Sequence, residues 1–91
     1  MNYESTIQEL QELATGLSIR IRYERGDFDG GYCILHEERL IVVNKKLTSQ
    51  QKAAVIAVSI HEIGLENVYI KPALRDFIED EVAKARRGAA A

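Results

Sequence analysis

The stretch 48–64, TSQQKAAVIAVSIHEIG, decides the fold. Thr48 supplies an N-cap and Gln51 stands three residues later, the capping-box spacing in which each side chain satisfies a free backbone N–H. Gly64 stands where a helix closes in a left-handed residue, with Leu65 placed to fold back on the last turn. Between these ends, at about 100° per residue, Ala53, Ile56, Ala57, Ile60 and Ile63 share one broad face suited to lying on a sheet. Val55 and Val58 point to the opposite side, among Gln51, Ser59 and Glu62. A second element must cover them, so the helix is predicted to be a sandwiched core helix, with His61 on the border between the two faces.

Upstream, 31–36 and 39–44 read as two strands of a hairpin around Glu37-Glu38. Leu40-Ile41-Val42-Val43 is apolar on both faces, as in a strand buried on both sides. A simple three-strand meander would leave it at an edge. Either the strand order places it centrally, or its edge is covered by a helix or by a second subunit, and homodimerisation is one expectation. In 17–24, LSIRIRYE, every odd residue is apolar and every even one polar, the period of a strand with one face in the core. Arg25 to Gly31, rich in Gly and Asp, is the natural hairpin connection to the next strand. The chain opens with an amphipathic helix from about Tyr3 to Thr15, capped by Asn2 and ended by Gly16.

Downstream, 66–71 is a short apolar connector. Pro72 stands at a first helical position, and Leu74, Phe77, Ile78, Val82 and Ala85 follow as a stripe at helical spacing. That stripe is expected to cover Val55 and Val58 or the other face of the sheet. The expected fold class is α+β: an N-terminal helix, a three-stranded antiparallel sheet, the central core helix and a C-terminal helix in one layered domain. Residues 1–87 form the domain, and 88–91 are expected to fray.

Ninety-one residues make one small domain that buries about 60–65% of its unfolded surface. A net charge of −2 argues against a dedicated nucleic-acid binder, although Arg20, Arg22, Arg25, Arg39, Lys45 and Lys46 gather in the middle third. Those cations are either a solvated sheet face or a site for an acidic partner. No apolar run approaches the roughly 18–20 residues of a membrane span, and the start Met1-Asn2-Tyr3-Glu4 lacks the basic and apolar regions of a leader. The single Cys33 agrees with a reducing compartment. The expectation is a cytoplasmic protein with neither nucleic acid nor membrane as partner.

Chemistry is hinted at in one place. His61-Glu62 on a helix is half of the zinc-protease motif H-E-x-x-H, but Leu65 stands where the second histidine belongs. Cys33 and His36 on one continuous strand would point to opposite faces, so a packed thiol and a surface or hydrogen-bonded imidazole are expected there rather than a metal pair. Asp27 and Asp29 lack the glycine and glutamate offsets of a calcium loop. Ser59 and His61 are two apart on a helix and do not face one another. Gly26, Gly30 and Gly31 match no phosphate-cradling loop.

The strand ending at Asn44, the capped helix and His61-Glu62-Ile63-Gly64 resemble the core of the ImmA/IrrE-like minimal metallopeptidases over about a third of the chain. The resemblance implies His61 as a zinc ligand and Glu62 as the general base that activates water. It puts the second ligand on Leu65, which cannot bind a metal; His36 and Glu66 are the remaining residues from which a rearranged set could be drawn. A catalytic zinc normally takes three protein ligands and leaves a position open for water. The chain also looks like a group of short uncharacterised bacterial proteins with a G-G-x-C strand, here Gly30-Gly31-Tyr32-Cys33, and a V-Y-x-x-P motif, here Val68 to Pro72. That likeness implies no function. Two readings follow: a non-enzymatic module that binds a protein partner or itself, and a zincin relative that binds zinc through His61 with Glu62 as base.

Overall fold

The structure of the protein, a computed structural model, describes residues 2–90. In chain order it contains α1 (Tyr3–Gly16), β1 (Ile19–Glu24), β2 (Gly30–Leu35), β3 (Glu38–Asn44), α2 (Ser49–Ile63) and α3 (Pro72–Ala90). The α+β class holds. Residue 91 lies outside the described residues. No described helix is long and apolar enough to cross a membrane.

The capping signals work as the sequence implies. Asn2 Oδ1 accepts from the backbone N–H groups of Glu4 and Ser5 at 3.0 and 3.2 Å. Thr48 and Gln51 exchange both bonds of the capping box, at 3.2 and 3.0 Å. The helix ends differ from expectation. After α1 the left-handed residue is Ser18, at φ 61°, and not Gly16. Gly64 does have positive φ, at 110°, but with ψ 142° it leads the chain away extended rather than closing a left-handed turn.

The sheet is mixed, which corrects the expectation of an antiparallel sheet. Its order is β1-β3-β2, with β3 parallel to β1 and antiparallel to β2. The segment 25–29 is therefore no hairpin: it carries the chain over the C-terminal end of β3 to the far side of the sheet. The physical reason lies in β3. Ile41 and Val43 face the helices in the main core, while Leu40 is buried on the opposite face beside Arg20 and Cys33, its neighbours across the two ladders. A strand apolar on both sides gains most in the centre. Central placement also removes the β3 edge as a reason to dimerise.

Asn44, buried at the end of β3, fastens the crossing segment. Its Nδ2 donates to the carbonyls of Gly26 and Phe28 at 2.8 and 2.6 Å, its Oδ1 accepts from the Lys46 N–H at 3.0 Å, and its backbone N–H donates to the Asp29 carbonyl at 3.0 Å. Gly30 then enters β2 at φ 137°, where a Cβ would stand 2.1 Å from the Val42 carbonyl oxygen. The true hairpin joins β2 to β3. Its two turn residues are His36 and Glu37, both with positive φ as a type I′ turn demands, so Glu38 is already strand.

The expected sandwiching of α2 is what the structure has. Ala53, Ile56, Ala57 and Ile60 are buried, and α2 packs on β2, β3 and α1 on one side and on α3 on the other. The α3 stripe Leu74, Phe77, Ile78 and Val82 is buried against α2 and α1, with Phe77 tilted against Tyr3 at 6.4 Å; Ala85 is exposed. No described helix packs on the second sheet face, which carries Arg20, Arg22, Leu40, Val42, Cys33 and Leu35.

Candidate functional site

His61 and Glu62 sit on the last full turn of α2. His61 is half-buried between α2 and α3, beside Val58, Val82, Ala85 and Arg86 on one flank and Gly64, Leu65, Glu66, Arg75 and Glu79 on the other. Glu62 is exposed. In the H-E-x-x-H arrangement one helix must carry both histidines, a turn apart. Here α2 ends at Ile63 and the extended Gly64 takes Leu65 off the helix. Position 65 thus fails twice, by chemistry and by path.

Of the other candidate ligands, Glu66 borders the same cavity as His61, but no further one joins the two. His36 is exposed in the β2–β3 turn, and Cys33 lies on the sheet face opposite the helices. Cys33 is also exposed, which corrects the expectation of a packed thiol. Among the described residues no three His, Cys, Asp or Glu side chains gather in a group that could hold a metal ion. The zincin set does not fit the residues present. Elemental analysis of protein purified without a metal-affinity step should give far less than one zinc per chain, unchanged in His61→Ala. About one zinc per chain, lost in that variant, would show that a site assembles in solution.

The basic residues of the middle third do not form one free patch. Arg20 pairs with Glu38 at 2.8 Å across the parallel ladder, and Arg22 pairs with Glu24 at 2.6 Å along β1. The Glu38 hydrogen bond and charge hold the Arg20 guanidinium above its ordinary pKa. Both pairs are exposed to solvent, which screens them, so they add little stability. They neutralise the cations nearest the sheet, while Arg25, Arg39, Lys45 and Lys46 remain exposed at its ends.

The structure offers a different site, centred on β2. A groove of about 440 Å³ runs between the start of this strand and the two helices above it. Gly30 and Gly31 form its floor, Ala54, Val55, Val58 and Ala85 its apolar wall, and Asp29, Glu62, Glu81 and Lys84 its polar rim. At the other end of the same strand Ile34 and Leu35 are 66% and 46% exposed. The strand residues, GGYCIL, include no charge and no proline. Edge strands usually carry such groups to prevent stray pairing. The other edge strand, β1, has them in Arg20, Arg22 and Glu24.

The N–H and C=O groups at this edge can be assigned. The Asn44 N–H bonds to the Asp29 carbonyl, and in an antiparallel ladder bonding alternates, so Gly31, Cys33 and Leu35 bond inward to β3. Gly30, Tyr32 and Ile34 direct theirs outward. The sequence left the strand order open and favoured a hairpin at 25–31, so it did not mark β2 as an edge strand. The available signal was the pair Gly30-Gly31 opening an uncharged strand.

Compared with family models, curated proteins and solved structures, the chain finds no match.

Proposed function

We propose that this chain is a non-enzymatic interaction module, binding a protein partner or itself, and that it works through the free edge of β2. The observation that carries the reading is the uncharged edge strand: Gly30, Tyr32 and Ile34 direct backbone groups outward beside an apolar groove, and Ile34 and Leu35 are exposed. An added strand gains affinity from main-chain hydrogen bonds, and specificity from pockets that take alternate side chains. The groove over Gly30 and Gly31 is such a pocket. The sequence alternative, a zinc enzyme using His61 and Glu62, has no comparable assembly of groups behind it.

Selection of a displayed library of extended peptides, at bait concentrations low enough to leave the edge unoccupied, tests the reading. Sequences with alternating apolar residues should be enriched and should bind Ile34→Lys at least about tenfold more weakly. Enrichment no better than with Ile34→Lys as bait would overturn it.

A further inference from the structure

The occupant of the β2 edge can be named, on the premise that the module reading above holds. A homotypic strand pair sets each side chain near a copy of its neighbours, so charges on the strand would be brought together across the interface. β2 has none. It also has unequal ends: bare glycines beside a groove at Gly30 and Gly31, and an exposed Ile34 on the same helix-facing side of the sheet as the groove. Antiparallel pairing about a two-fold axis at Tyr32 sets residue 34 of each copy opposite residue 30 of the other, and residue 33 opposite residue 31. Ile34 and Cys33 then each meet glycine, and Tyr32 faces its own copy across the axis. The outward-bonding residues Gly30, Tyr32 and Ile34 fall opposite one another, so their free groups pair. Gly30 cannot be replaced by a residue that fills the floor, because its backbone conformation excludes a Cβ.

We propose that β2 pairs antiparallel with β2 of a second copy, forming one six-stranded sheet in which Ile34 of each chain sits in the groove over Gly30 of the other. The interface is isologous, so knob and groove satisfy each other in pairs and the assembly closes as a dimer rather than a fibre. The helix layers of both copies lie on the same side of the joined sheet.

Light scattering behind size exclusion, at rising protein concentration, should give twice the 10.2 kDa chain mass. In a Cys33→Ser background, Tyr32→Cys should form a disulfide-linked dimer under mild oxidation, because directly opposed residues of this type lie about 5.5 Å apart between Cα atoms, within disulfide reach. Gln50→Cys, exposed on α2, should not cross-link in that background. Ile34→Lys, at an exposed position, should keep the circular dichroism of the parent and weaken the dimer at least about tenfold. A monomer at every concentration up to about 1 mM would overturn self-pairing. If peptides are still selected at the edge, the module reading survives that result. A dimer that persists in Ile34→Lys and does not cross-link at position 32 would overturn the β2 interface, and failure of the peptide selection as well would remove the module reading with it.

Discussion

Asn44→Asp should destabilise the domain by about 3–4 kcal/mol near neutral pH, although it changes one amide to a carboxylate of the same shape. The Asn44 Nδ2 donates to two carbonyls, those of Gly26 and Phe28. A carboxylate would turn an acceptor on both and leave a buried charge facing two dipoles of the same sign, the costly case of an unsatisfied buried group. Total stability for a chain of this size is about 5–14 kcal/mol, so the loss would be visible directly in urea unfolding. The pH dependence identifies the cause. In the folded variant the carboxyl's pKa would be raised above its unfolded value, so the penalty is full well above that raised value and shrinks as pH falls and the group protonates. Asn44→Ala should cost less, about 2 kcal/mol, and show no such recovery in acid. Equal losses at all pH values for both variants would show that the amide donors do not hold the crossing segment.

Gly30→Ala should cost about 3–5 kcal/mol. The added methyl would sit 2.1 Å from the Val42 carbonyl oxygen, and the residue would have to keep φ at 137°. Steric overlap with backbone and an unfavourable dihedral each cost about 1–3 kcal/mol. Gly31→Ala is the control: an added Cβ there meets nothing within 4 Å, so thermal unfolding should shift little. Similar melting temperatures for the two variants would refute the conformation assigned to Gly30.

The helices and their N-caps were legible in the sequence because they are local. Asn2, Thr48 and Gln51 announce helix starts through bonds made within three residues, and the α2 faces follow from spacing alone. Period-two alternation located β1 to within two residues. The strand order was not legible, since pairing joins residues about twenty apart and a five-residue segment such as 25–29 suits a hairpin as well as a crossing. The clue was present in Leu40 to Val43, apolar on both faces and therefore central. For the site, His61 and Glu62 were visible as a motif, but a motif becomes a metal site only when distant groups converge, and here they do not. Gly30-Gly31 opening an uncharged strand hinted at the β2 groove, but its place at an edge needed the order β1-β3-β2, because an edge is a property of the sheet rather than of the strand.

That order also constrains how the chain acquires its structure. The two strands made first, β1 and β2, never touch; each pairs only with β3. The sheet cannot grow stepwise from the N-terminus. During synthesis, β1 has no strand partner until Asn44 has been added, and the crossing segment has nothing to cross. The β2–β3 hairpin, closed by two residues, is the cheapest contact to form, and β1 joins last at the cost of a longer loop. Substitutions in the hairpin should therefore slow refolding, whereas those in β1 should mainly hasten unfolding.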